Sequence, residues 1–406
     1  MKKILIALAS LLFINNGIAC TTAIISGKYT NDGRSMMWKL RDSDYEKNKM
    51  MFFDDGKFDY IGLVNSKDIN GEQIWGGANS ENFAIMNSAS FNVNINDTSS
   101  KKDLEGYFMK LALQKCATLQ DFENLLDTLS KPMGLSAHFG VIDGIGGAAF
   151  YEVNNYSFTK FDANNSAQAP HGYIIRTNYS FTGKKDIGYG FIRYQTAQSL
   201  FYQADATNEL NYKTIIQKFS RCFKHPILNK DFREEYKTVR DGEHFINSGD
   251  LITRNSSVSA ILVHSAKANE TKDLATIWTI VGYPNTCIAL PLWVRGGKKL
   301  PKVLLANKLG NAPLNNMSLK LKEQCYPIKR SSGSKYLQIS KLFNSDNTGI
   351  IQKIEPVENK IFKATEKKLK QWRKTSPKPK KIKEYYNELD SIIIETYSKK
   401  FEILSE

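Results

Sequence analysis

The stretch GIACTTAI, residues 17–24, joins two kinds of sequence. Ahead of it stand Met1-Lys2-Lys3, the apolar run ILIALASLLFI, and small residues at Gly17 and Ala19, the layout of a secretory leader cut after Ala19. That run is shorter than the roughly 20 residues needed to span a bilayer. Behind it, Thr, Ala and Ile form a strand-like run that Cys20 opens. A cysteine at a free N-terminus carries its own base. An α-amine titrating at about 7.7 to 8.0 can take the thiol proton, directly or through a water, and leave a thiolate to attack a carbonyl. Such a site needs no histidine. The competing reading is a lipoprotein junction with Cys20 acylated, although such signals prefer an aliphatic residue where this chain has Gly17. Lipidation would acylate the amine that catalysis requires.

Working outward, CTTAIISG, SMMWKL, FDYIGLV and ENFAIMNSASF read as strands separated by Gly, Asn and Asp. Asp32-Gly33 predicts a tight hairpin after the first strand. Residues 102–129 change to helical spacing, with Thr118 and Asp121 as cap partners of a second helix. Strands return from His138 to Val153 across the turn DGIGG, which lacks the GK[ST] ending of a phosphate loop. YSFTKFDA and HGYIIRTN continue them. FIRYQTAQSLFYQA and NYKTIIQKFSRCF predict helices; SVSAILVHS, LATIWTIVG and CIALPLWV predict late strands. Strands and helices in blocks indicate an α+β sandwich rather than a doubly wound sheet. The expected organisation is a leader over 1–19, a main domain over 20–330 and a Lys-rich helical extension over 331–406.

The net charge of +15 on 406 residues fits a solvated lysine surface, or contact with an anionic membrane or envelope polymer; for an exported chain either outranks nucleic acid. Trp372, among Lys367, Lys368, Lys370, Arg373 and Lys374, could rest on such a surface or pack on its own domain. The five cysteines are scattered, none in a CxxC, so neither a disulfide framework nor a zinc site is expected. The histidines at 138, 171, 225, 244 and 264 lie in no papain-like context.

Read in order, CTTAII, DGRSMMWKLRDSD, GGANSENFAIMNSASFN, HGYIIRTNYS and IRYQTAQSL resemble the choloylglycine hydrolase, penicillin V acylase and isopenicillin N acyltransferase group of N-terminal nucleophile hydrolases, from residue 20 to about residue 300. The resemblance implies a four-layer αββα sandwich and cleavage of a linear amide, by hydrolysis or acyl transfer, with Cys20 as nucleophile and no metal or organic cofactor. It assigns Asp42 to the strand-end carboxylate beside the amine, with Lys39 where the family has Arg and Leu40 where it has Asn. A register shifted by two would use Arg41 and Asp44. Asn178 matches the oxyanion-hole amide, Arg193 the helix-start arginine, and Asn87 is the nearest amide to a further polar position. The expected partner is a small N-acyl amide, in the periplasm or outside the cell; the acyl group and the assembly of a homo-oligomer stay open.

Overall fold

The computed structural model describes residues 19–99 and 101–404, so the leader expected over 1–19 lies, but for Ala19, outside the described residues. The first sheet holds β1 (Cys20–Ile25), β2 (Met36–Asp42), β10 (Tyr173–Arg176), β14 (Ser257–His264), β15 (Thr276–Ile280) and β16 (Leu290–Leu292), in the order β10-β1-β2-β14-β15-β16. The second holds β3 (Asn48–Phe53), β4 (Tyr60–Asn65), β5 (Gly77–Asn79), β6 (Ala84–Ala89), β7 (Ala137–Ile142), β8 (Ala148–Val153) and β9 (Phe158–Asp162), in chain order. Both are antiparallel. Small ribbons pair β11 (Lys224–His225) with β12 (Lys230–Asp231) and β13 (Phe245–Asn247) with β17 (Tyr336–Gln338).

Every residue of β1 and β2 is buried, because one face meets the second sheet and the other meets helices. That is why their composition is an apolar run rather than an alternation. The sheets approach closely at Gly140 of β7, where a Cβ would lie 2.6 Å from Met86 Cε and 3.1 Å from Ile24 Cδ1. Outside the second sheet lie α1 (Glu105–Lys115) and α2 (Leu119–Thr128), which close a second core on Phe139 and Tyr151. The cap of α2 is reciprocal: Thr118 Oγ1 accepts from Asp121 N–H and the Asp121 carboxylate accepts from Thr118 N–H.

The first sheet is covered by α3 (Phe191–Ala206), α4 (Tyr212–Thr214) with the π-turn Ile215–Phe219, and α5 (Phe232–Tyr236), then by α6 (Pro313–Cys325), α7 (Ile350–Thr375) and α8 (Pro379–Phe401). Trp38 meets Phe201, Trp278 meets Phe362, and Trp293 stacks on Tyr386. The architecture is αββα. Trp372 is buried edge-on against Trp293, at 5.2 Å between ring centres, while Lys367, Lys370 and Lys374 face outward. Packing within the protein thus withdraws the ring that could have met an anionic surface. No described helix is long and apolar enough to cross a membrane.

Four local expectations change. β1 and β2 do pair as a hairpin, but residues 26–35 link them through a 3₁₀ turn, with Gly33 at φ +70° and Asp32 drawn to His264. The helix expected over NYKTIIQKFSRCF stops at Ser220, because Arg221 is pulled inward to Glu358. Of CIALPLWV only Leu290–Leu292 is strand, at the sheet edge, where Pro291 can stand without an amide proton to donate. Helix α6 is an addition to the expected elements.

Candidate active site

Cys20 opens β1 between β10 and β2 and is 2% exposed. Its backbone N–H donates to Asn178 Oδ1 at 2.9 Å, just past the end of β10. The preceding carbonyl, Ala19 O, accepts from Asp42 N–H at 3.0 Å. Arg193, in the first turn of α3, donates through Nη1 to Cys20 O (2.6 Å) and Thr21 Oγ1 (2.9 Å), and through Nη2 to Asn178 Oδ1 (2.8 Å). Two donors therefore meet on Asn178 Oδ1, while its Nδ2 donates to Ala89 O at 2.9 Å. Gly190, at φ +89°, caps α3, and any Cβ there would strike the Arg193 guanidinium.

On β2, alternation turns Lys39 and Arg41 toward the second sheet. Lys39 Nζ donates to Asn87 Oδ1 (2.7 Å) and Trp75 O (2.8 Å). Arg41 donates to Asn48 Oδ1 (2.9 Å), Asn65 Oδ1 (3.0 Å) and Ser43 Oγ (3.2 Å), and its guanidinium lies 4.7 Å from the centre of the Trp75 ring. Asp42 accepts from Arg254 Nη2 (2.6 Å), Arg254 Nε (2.9 Å) and Ser257 Oγ (2.6 Å). Cys20, Asp42, Asn178 and Arg193 thus gather at one sheet end, and Asn87 joins them through Lys39. Asp44 does not: it is exposed. Arg254 and Ser257, absent from the sequence reading, fix the Asp42 carboxylate.

Asn178 is steadied from behind. Glu152 accepts from Arg176 Nε (2.8 Å) and from the Phe181 and Thr182 amides. His138 lies between Ser88 Oγ (2.9 Å) and Ser180 Oγ (2.7 Å), and burial lowers it to about 3, so it is neutral and structural. Among the described residues no histidine hydrogen-bonds Cys20, and no group of three or more His, Cys, Asp or Glu side chains is arranged to hold a metal ion. All five cysteines are free and buried.

A cleft of about 740 Å³ lies against Ala19. Tyr189, Phe191 and Arg193 form one wall, and Asp250, Arg254 and Lys335 belong to the other. Ala19 lines this space and Cys20 does not.

Burial lowers Lys39 from 10.5 to about 7, with the Cys20 thiol opposing the shift and Arg41 adding to it. Between those two values the unfolded chain holds a proton at this position that the folded protein has released, so stability rises with pH. The expected slope from this group approaches 1.4 kcal/mol per pH unit, a figure of about that order. Melting curves of wild type and Lys39→Met from about pH 6 to about pH 10 should show the variant missing that rise. Parallel curves would mean that Lys39 titrates normally.

No protein-family model matches this sequence, and no curated protein sequence matches it. Solved structures similar to it include a Caenorhabditis elegans N-acylethanolamine-hydrolyzing acid amidase ortholog, at 12% identity and TM-score 0.41, covering 60% of this chain and 92% of that one. A variant of the conjugated bile acid hydrolase from Clostridium perfringens is similar at 11% identity and TM-score 0.36, covering 68% and 92%. Penicillin V acylase from Agrobacterium tumefaciens follows at 10% identity and TM-score 0.34, covering 69% and 87%.

Proposed function

We propose that this chain is an exported amidohydrolase that cleaves a linear N-acyl amide through a thioester on Cys20, once the residues up to Ala19 have been removed. The observation that carries the reading is the Cys20 nitrogen, 2.9 Å from Asn178 Oδ1 at a buried strand end, with Arg193 bonded to both residues. Cutting after Ala19 turns that amide into an α-amine without moving it. Asn178 Oδ1 then holds one amine N–H, and the Asp42 N–H loses Ala19 O and is left facing the new terminus. A donor directed at the amine favours its neutral, basic form.

The amine takes the thiol proton and Sγ adds to the substrate carbonyl. As the C–N bond breaks, the leaving nitrogen receives that proton. Water, deprotonated by the same amine, then adds to the thioester; the C–S bond breaks, the acid leaves, and the amine returns its proton to Sγ. The oxyanion draws on Asn178 Nδ2, which here rests on Ala89 O, and on backbone N–H groups. Asp42 acts by holding Arg254 and the strand end, and Asn87 by anchoring Lys39.

The lipid-anchor reading has less support. A diacylglyceryl thioether on Cys20 would have to leave a sulfur enclosed between strands, on a residue 2% exposed. Intact mass of the exported protein should give a chain beginning at unmodified Cys20. A short incubation with an N-acyl substrate should then add one acyl mass at that residue. Acyl chains already present on the amine would refute the mechanism.

A further inference from the structure

Helix α7 holds a guanidinium without a hydrogen bond. Arg373 is largely buried, yet among the described residues its Nε is an enclosed donor with no acceptor, and a carboxylate oxygen of Glu270 comes no closer than 3.7 Å. A guanidinium has five N–H groups to place, and enclosing them unused costs free energy. Glu270 does not answer that need. Arg34 takes both of its oxygens at 2.6 Å, and Lys267 N–H adds a further donor.

Arg373 lines a cleft of about 470 Å³ between α7 and the body of the protein, together with Lys370 and Lys374 on the same helix face. Acids line it as well, but each is already engaged. Asp32 meets His264 Nε2 at 3.0 Å and Arg34 Nε at 3.4 Å, and Glu366 takes the Tyr212 hydroxyl and Lys213 Nζ at 2.8 Å each. Beyond the cleft the positive charge continues. From Lys367 to Lys383, through the turn between α7 and α8, the chain carries nine cations and no acid. Only Lys368, Arg373 and Lys381 among them approach a carboxylate within the described residues. This cleft is separate from the catalytic end: His264 stands in the row of Met36 and Cys20 in the row of Arg41, five strand positions or about 17 Å apart.

We infer that the cleft is a binding site for a phosphate-rich polyanion, with one phosphate seated on Arg373 between Lys370 and Lys374 and the following ones laid along the lysines of the α7–α8 turn. A guanidinium fork matches phosphate oxygens through two parallel hydrogen bonds, and Arg373 has its donors to spare. The occupant is a soluble chain rather than a bilayer. Helices that lie on membranes add apolar side chains to their lysines. Here no exposed large apolar side chain occurs between Tyr336 and Ile394, and Trp372 is buried.

The test uses the whole purified protein, with inorganic phosphate, tripolyphosphate and a linear polyphosphate as probes and polyglutamate as the carboxylate control, titrated at about 0.15 M salt. Affinity should rise with the number of phosphates, and polyphosphate should bind more tightly than polyglutamate of the same charge. Arg373→Gln should weaken tripolyphosphate binding by about 10- to 100-fold, the range of hydrogen bonds to a charged group. Arg373→Lys should restore only part of it, because an ammonium lacks the fork. Melting curves supply an independent readout. Without ligand, Arg373→Gln should melt no lower than wild type, since it removes a charge that has no partner; tripolyphosphate should then raise wild type more than the variant. Amide turnover should be the same in both. Equal binding by wild type and Arg373→Gln, or polyglutamate held as tightly as polyphosphate, overturns the site. A variant that melts well below wild type without ligand does so too, because Arg373 would then be structural. Sedimentation with phosphatidylglycerol vesicles without binding of polyphosphate would make the turn a membrane contact and end the proposal.

Discussion

Cys20→Ala should lower amide turnover by about 10⁴-fold or more, to the level of the uncatalysed background, while leaving the fold intact. The two parts of that expectation come from different atoms. Catalysis needs Sγ, the only group at this position that can form the acyl-enzyme. The scaffold uses the backbone: Cys20 N–H holds Asn178 and Cys20 O receives Arg193, and alanine supplies both. Lost methyl-sized packing should cost about 1 kcal/mol or less. Cys20→Ser is the informative companion. Its hydroxyl is a much weaker nucleophile at the pH where the amine is free, so it should retain a small residue of activity. Released amine, measured with the processed variants, checks both, and melting temperatures close to wild type show that loss of rate is not loss of structure. Full turnover by the alanine variant would remove Cys20 from the mechanism.

How much of this could be read in the sequence follows from how each residue reaches the site. Cys20 and Asn178 lie at the ends of neighbouring strands, and Arg193 begins the next helix, so short motifs carry them in order. Arg254 comes from the segment before β14, 212 positions from the Asp42 it binds, and nothing local in ITRNSS marks it. The sequence poses the choice between Lys39 and Arg41 as a question of register. Residues two apart on a strand share a face, however, and the structure turns both inward. Helix α6 is missing from the expected elements although its pattern was there to read: Leu314, Met317, Leu321 and Cys325 recur at helical spacing behind Pro313, and all four are buried. The π-turn at Ile215–Phe219 was not: Gln217 within it bonds Glu358, far along the chain.

Glu358→Ala should destabilise the protein by about 3 to 5 kcal/mol, the cost of stranding a buried partner charge. Glu358, on α7, takes both Nη atoms of Arg221 (2.8 and 2.6 Å) and also accepts Ala289 N–H at 2.8 Å, and both charged side chains are fully buried. Arg221 in turn caps the carbonyls of Pro284 and Cys287, so one carboxylate ties α7 to the segment that leads into β16. Removing it leaves a guanidinium and an amide without their acceptor in a medium that solvates neither. Denaturant unfolding should show the loss as a shifted midpoint. Arg221→Met combined with Glu358→Leu should recover much of it, because an apolar pair of similar volume avoids the stranded charge. The contrast carries the meaning: a large loss in the single variant and a small one in the double would mark α7 as integral to the sheet's outer layer. A single-variant loss below about 1 kcal/mol would instead make it a separable appendage.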